Sequence, residues 1–340
     1  LTPPRRASGQ PTIVDVAALA GVSKSAVSRV LSGTGRFSDK TRSRVEAAAA
    51  ELGYVANAMA RGLVSGRTHT IGMLVRDASS MLYTALHAVM ERRASELGYR
   101  VITTTGVGRV EDEISALAAL VSMRVDGLVV CSGLLPADEI AEFAPRIATV
   151  VAGRPELHPA LSSVYCDEND GGTRIADVVI AAGHRRVGVL AVPLDNALTQ
   201  HARSEAMTSR LRGAGVEVVE LDARFVREPA DVARDVADAV AAHGITAVMC
   251  PTDRLMLDVC ASLADFGVRV PGDLSATGFD GVYPLDSDWI GFTTFEQPIE
   301  RIGREAIDLL VQRIDDPLAA VEHRALLGRV RPGRTVTPLR

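Results

Sequence analysis

The sequence predicts an α/β protein: a small helical headpiece followed by a body of parallel sheet with helices on both faces. Three observations predict it. From residue 70 onward the apolar runs TIGMLV, RVITTT, VDGLVV, ATVVA, SSVYC, RVGVLA, VEVVEL, AVMC and LSATGF alternate with helical patterns, the rhythm of strand–helix–strand units. Residues 12–33, TIVDVAALAGVSKSAVSRVLSG, read as two short helices around a tight turn. Residues 1–67 hold ten basic and four acidic residues, a balance of +6, although the whole chain carries −5. A basic head on an acidic body points to a head that meets a polyanion.

Each element of the headpiece has a local reason. Thr12 and Asp15 stand at capping-box spacing, which satisfies the free amides of a first helix. Ile13, Val16, Ala17 and Ala20 then repeat on one helical face. Gly21 supplies the left-handed residue after the helix end. Ser23 caps the next helix, which buries Ala26, Val27, Val30 and Leu31 and turns Lys24, Ser25, Ser28 and Arg29 outward. Short polar residues and an arginine at the start of a second helix suit base reading in a major groove. A third helix is expected from the Ser38 cap to Leu52, burying Val45, Ala48, Ala49 and Leu52.

Composition narrows the function. The 340 residues suffice for two or three globular units, and 47% hydrophobic content supports a sizeable core. At 4% aromatic residues, a broad stacking surface for single strands is not expected. No uncharged run of 18 apolar residues exists, so no membrane span is expected. The start LTPPRRASGQPT lacks the apolar stretch of a secretory signal, and the expected location is the cytoplasm. Cys131, Cys166, Cys250 and Cys260 are scattered, without metal-ligand spacing, and read as buried small hydrophobes. No cofactor or metal is expected. Catalytic signatures are missing too: there is no phosphate-binding G-x-x-x-x-G-K-[ST], no G-x-S-x-G and no H-E-x-x-H. The seven histidines are dispersed. An enzyme is not expected.

These residues carry a resemblance. The segment Thr12–Gly33 resembles the DNA-binding headpiece of the lactose-repressor (LacI/GalR) family of bacterial transcriptional regulators. The likeness continues through ELGYVANAMARGL (51–63), IGMLV (71–75), RVDGLVV (124–130), AGHRRVGVL (182–190), PTDRLM (251–256), VRVPGDLSATGFDG (268–281) and TTFEQPIERIG (293–303). It implies a flexible tail (1–11), a helix-turn-helix headpiece (12–55), a hinge helix and linker (56–69) and a periplasmic-binding-protein-like body (70–340). The body would hold two doubly wound parallel-sheet subdomains, about 70–167 with 298–323 and about 168–297 with 324–340. The chain would cross between them near Asp167, Gln297 and His323.

The resemblance also implies site residues. Thr12, Lys24, Ser25, Ser28 and Arg29 would face DNA, with Ser23, Ser38, Thr41 and Arg42 at phosphates. Asn57, Ala60 and Arg61 would enter the minor groove beside the wedge Leu63. Ala56 replaces the proline usual in the family, which removes the preset start of the hinge helix. For a small polar effector, the expected contacts are Ser80 to Tyr83 in a first pocket loop, Arg154 after the fourth strand and Arg203 opening a helix. Asp253, Asp280 and Gln297 complete the set, and Trp289 would either stack on a sugar face or simply pack. The polar members suit vicinal hydroxyls. Gly153, SSMLY (79–83), Glu205 and Ala206 depart from the usual pattern, so a phosphorylated or non-sugar ligand stays open.

The expected protein is thus a cytoplasmic, nucleoid-associated homodimer on near-palindromic double-stranded operator DNA, most simply a repressor, without a membrane partner. Its C-terminal stretch has no leucine heptads for a tetramerising coil. The alternative is a solute-binding receptor without DNA function.

Overall fold

The computed structural model describes residues 11–31, 35–54, 67–106, 108–195, 197–224 and 227–339. The chain forms two compact units, Leu1–His69 and Thr70–Arg340.

In the first unit, α1 (Ile13–Ala20), α2 (Lys24–Leu31) and α3 (Asp39–Leu52) enclose a small core of Val16, Ala17, Ala20, Val27, Val30, Val45, Ala48 and Ala49. The capping box forms as the spacing requires: the Thr12 amide donates to Asp15 Oδ2 at 2.8 Å, and the Asp15 amide donates to Thr12 Oγ1. Gly21 takes φ +61° and ends α1, a conformation in which any Cβ is strained. Arg44 on α3 donates to the Gly21 carbonyl at 3.4 Å, tying the third helix to the turn between the first two.

The second unit opens with β1 (Thr70–Val75), α4 (Met81–Glu96), β2 (Arg100–Thr105), α5 (Val110–Ser122), β3 (Gly127–Cys131), α6 (Ala137–Ala141), β4 (Ala148–Ala152) and β5 (Ser162–Cys166). It continues through α7 (Glu168–Ala181), β6 (Arg186–Ala191), α8 (Leu198–Gly213), β7 (Glu217–Asp222), α9 (Pro229–His243), β8 (Ala247–Met249), α10 (Asp253–Leu263) and β9 (Ser275–Asp280). It closes with β10 (Thr294–Glu296), α11 (Ile299–Asp315), β11 (His323–Leu326) and β12 (Arg329–Arg331).

These strands build two six-stranded sheets, in the orders β11-β5-β4-β3-β1-β2 and β12-β10-β9-β8-β6-β7. All described pairings are parallel except β10 with β12. Central strands such as GLVVC are buried along their whole length, as expected where helices cover both faces. In the first lobe, Ile71, Met73, Val129 and Val150 meet α4 and α11, while Leu74, Leu128, Val130 and Val151 meet α5 and α6. In the second lobe, Val187, Val189, Met249 and Phe279 pack on α7 and α8, while Leu190, Val248 and Ala276 face α9 and α10.

The chain passes between lobes three times: after Cys166, around Gln297, and between Leu326 and Arg329. The last passage falls a few residues beyond His323. His323–Leu326 still pair with β5 of the first sheet, and only at Arg329 does the chain join β10 of the second. The short strands β10, β11 and β12 are additional to the nine runs read from the sequence. No described helix is long and apolar enough to cross a membrane.

Candidate functional site

In the headpiece, the outward hydroxyls sit at helix N-termini, where partial positive charge and unpaired amides favour anions. Ser23 Oγ accepts from the Ala26 amide at 3.2 Å and lies 3.0 Å from Ser25 Oγ. Ser38 Oγ accepts from the Thr41 amide at 3.3 Å and lies 3.0 Å from Thr41 Oγ1. Lys24, Ser25, Arg29 and Arg42 are exposed, and Ser28 is half-buried. The Arg29 guanidinium stands 5.5 Å over the Phe37 ring, which narrows the arginine's range of rotamers. Asn57, Ala60, Arg61 and Leu63 lie outside the described residues.

In the body, the strands of both sheets end where an α/β fold binds its ligands. At the ends of the second sheet two carboxylates bond one buried cation, with a third carboxylate and an amide close by. Arg203 is 1% exposed. Its Nε and Nη2 donate to the two oxygens of Glu168 at 2.5 and 3.2 Å, and its Nη1 donates to the Pro251 carbonyl at 2.9 Å and Asp280 Oδ1 at 3.0 Å. The face of the guanidinium lies 4.1 Å from the Phe279 ring centroid. Gln297 Nε2 donates to the same Asp280 Oδ1 at 2.8 Å. Asp253 accepts from the Gly281 amide at 2.8 Å and from the Thr294 hydroxyl at 2.6 Å.

The approach of α7 to α8 makes this cluster possible. A Cβ on Gly171 would lie 2.6 Å from Phe279, and one on Gly172 would lie 2.7 Å from the Arg203 carbonyl. Gly171 thus seats α7 on the sheet and Gly172 lets it approach α8, so that Glu168, in the first turn of α7, reaches Arg203. Asp280 ends β9 at φ +111°, a conformation that costs an aspartate on the order of 1–3 kcal/mol and that surrounding contacts must hold.

Burial raises the pKa of Glu168 and of Asp280, with Arg203 opposing in each case. For Arg203 burial works downward, but Glu168 and Asp280 outweigh it and hold the guanidinium above the usual arginine range. Asp253 is pushed from 3.8 up to about 8, first by burial and then by the Asp280 charge, against the two donors that favour its ionised form. The folded chain thus keeps a proton that the unfolded chain releases from about pH 4 upward. Stability contributed by this group falls as pH rises through that window and levels off above about 8. Each tenfold difference in proton affinity is worth about 1.4 kcal/mol, or roughly 3–6 °C in Tm for a body of this size. Asp253→Asn should flatten the decline in Tm between pH 6 and 8, followed by circular dichroism. An unchanged slope would show that Asp253 titrates as an ordinary surface carboxylate.

The first lobe contributes a second group of charges. Arg154 is buried, donating to the Leu135 carbonyl at 2.6 Å and Glu156 Oε2 at 2.7 Å. Glu113 is fully buried and accepts from the Ser132 hydroxyl. The Tyr83 hydroxyl is held above the ordinary tyrosine range, first by burial and then by Cys131, while Arg76 and Arg203 work against the rise.

Several placements differ from the sequence reading. Ser80–Tyr83 are not a loop: Asp77 closes a tight turn by accepting from the Ser79 amide and hydroxyl, so α4 starts at Met81 with Ser80 as its cap residue. Arg203 does not open its helix, because α8 begins at Leu198. Trp289 is not packed; it is 87% exposed. Glu168 and Glu113 were not anticipated. The acids following SSVYC were the available signal for Glu168; nothing in the helical pattern around Glu113 marks it out. Two shallow depressions, of about 330 and 540 Å³, lie beside α8 and are lined by His201, Glu205 and Asp222 and by Asn169, Thr173 and Arg210 respectively. The anticipated effector residues line neither; three of them, Arg203, Asp280 and Gln297, close on one another instead. Among the described residues no cluster of metal-ligating side chains occurs.

Residues 12–57 match the family described as bacterial regulatory proteins, lacI family, and residues 176–336 match a periplasmic binding protein-like domain. The chain is 31% identical over 314 residues to the HTH-type transcriptional repressor PurR of Vibrio atlanticus (strain LGP32), covering 90% of this chain and 92% of that protein. This chain belongs to the lacI family. It is a DNA-binding transcriptional regulator with a periplasmic-binding-protein-like body, not an enzyme. Another lacI-family relative, the ribose operon repressor of Escherichia coli (strain K12), is 30% identical over 315 residues, with 90% and 94% of the two chains covered. Among solved structures, the lac repressor dimer bound to operator and the anti-inducer ONPF superposes with a TM-score of 0.81 at 25% identity, covering 96% and 99% of the chains. The CelR–cellobiose complex gives a TM-score of 0.69 at 28% identity, with 96% and 100% covered.

Proposed function

We propose that this lacI-family regulator works as a dimeric repressor on a near-palindromic operator, in the cytoplasm and at the nucleoid. A small polar effector, a sugar or sugar derivative, would bind between the two lobes of the body and change its grip on DNA. The observation that carries the reading is the convergence at the strand ends. Arg203, Asp280 and Gln297 form one hydrogen-bonded unit in the second lobe, at strand ends of the kind where an α/β fold takes its ligands. A ligand touching both lobes has different affinities for their open and closed arrangements, and that difference shifts the balance between them. The lac repressor dimer seen on operator and the CelR protein seen with cellobiose support the two halves of the proposal.

In this reading residues 12–55 read DNA, 56–69 form hinge and linker, and 70–340 sense the effector. Lys24, Ser25 and Arg29 contact base edges, while Ser23, Thr41, Arg42 and the first amides of α3 hold phosphates. Two half-sites are needed because one short helix contacts few bases. Arg29→Ala should weaken operator binding by about 1–3 kcal/mol and relax specificity at one position in each half-site. Asp280→Asn should leave DNA binding intact and remove the response to effector. Gel-shift titrations against the operator and scrambled DNA, with calorimetry on the variants, test both lobes of the proposal. Wild-type binding indifferent to DNA sequence would refute it, as would an Asp280→Asn protein that binds effector normally.

A further inference from the structure

The body contains two buried arginines at the ends of its strands, and both are occupied by the protein itself. The bidentate edge of Arg203 faces Glu168, its Nη1 is divided between the Pro251 carbonyl and Asp280, and one face covers Phe279. Arg154 is neutralised by Glu156 at 2.7 Å. A planar guanidinium binds a carboxylate or phosphate through two parallel N–H groups. Glu168 already holds that edge of Arg203.

What remains is acceptor-rich. Asp280 is the member of the cluster with measurable side-chain exposure beside Arg203, 9% against 2%. Its Oδ1 takes the bonds from Arg203 and Gln297, so its second oxygen is left to accept from a ligand. Two acids, Glu168 and Asp280, bond the one guanidinium. In the first lobe, Glu113 Oε1 and Arg154 Nε are buried atoms without a partner, and the Arg154 charge acts on Glu113. A lone acceptor and a lone donor are the two capacities that a hydroxyl, which donates and accepts at once, can meet.

We propose that Glu168 sets the charge class of the effector: by occupying the fork of Arg203 it makes the cleft select hydroxyl- or amine-bearing, neutral or cationic ligands and reject phosphorylated and carboxylated ones. This rests on the cleft being the effector site. An anionic group entering there meets Asp280 and finds no unspent bidentate arginine in this cluster, so its charge loses hydration without compensation.

The test uses the full-length chain and two sets of probes. With inorganic phosphate, wild type should show no saturable thermal stabilisation beyond that of sodium chloride at equal ionic strength. Glu168→Gln and, separately, Asp280→Asn should each gain saturable stabilisation, with apparent affinity improved by about tenfold or more. Two variants are used so that a folding defect in one does not remove the test. With the matched ligands D-glucose, D-glucosamine, D-glucose 6-phosphate and D-gluconate, and with D-ribose and D-ribose 5-phosphate, each anionic member should bind wild type at least about tenfold more weakly than its parent. Saturable phosphate binding by wild type, no gain in either variant, or an anionic sugar binding as tightly as its parent would overturn the proposal. If no sugar binds wild type, the sugar reading of the effector fails, and the phosphate comparison alone decides the charge class.

Discussion

Replacing Arg203 by methionine should destabilise the body by about 3–5 kcal/mol at neutral pH, the usual result of removing one partner from a buried ion pair. Glu168 and Asp280 would then lie side by side in the interior without a cation, at 2% and 6% exposure. They escape the penalty only by taking up protons, so the loss should shrink as the pH is lowered towards 5. Adding Glu168→Gln to Arg203→Met should recover part of the stability, because one of the two stranded charges disappears. Urea unfolding at several pH values, followed by far-ultraviolet circular dichroism, measures each effect. An Arg203→Met protein with the wild-type midpoint at neutral pH would mean that the cluster contributes nothing to the fold.

A second large effect is expected from Gly172→Val. Even a Cβ at this position would stand 2.7 Å from both the Arg203 carbonyl and the Ala206 Cβ. The branched side chain must push α8 away from α7, and overpacking of this kind costs about 1–3 kcal/mol. The displacement also separates Glu168 from Arg203. Gly172→Val should therefore combine a lower Tm with the altered ligand charge preference of Glu168→Gln. Gly213→Ala, on the same helix pair, has open space around it and should be nearly silent. Equal effects at the two glycines would remove the close helix approach as the cause.

The legible parts of this protein were those governed by local pattern. The capping box at Thr12, the turn at Gly21, the cap at Ser38 and the inward faces of three helices depend on residues within a few positions of each other. The central runs among the nine, such as TIGMLV and VDGLVV, became strands because sustained apolar stretches cannot be left in water. β10, β11 and β12 escaped notice because TFE, HRAL and RVR are three or four residues long and carry charge. Only partners distant in the chain make them strands. The site divides in the same way. Arg203, Asp280 and Gln297 were marked by family motifs, and the structure brings them into one network. Glu168 was hidden because its meaning comes from a side chain 35 positions away. The helix start at Met81 was missed because Asp77 turns the chain within two residues of the strand.

The third passage between lobes, only two residues long from Leu326 to Arg329, fixes a timetable for synthesis. The headpiece core is complete once residue 49 has been made. Neither sheet of the body is complete until residue 326 for the first lobe and residue 331 for the second. Helix α11, which covers one face of the first sheet, arrives after all of the second lobe but its last strand. Newly made chains therefore emerge with a finished DNA reader attached to an unfinished sensor. Until β11 and β12 are made, β5 and β10 each keep an unpaired edge, so the sensor is the part expected to mature last and to be more exposed to aggregation.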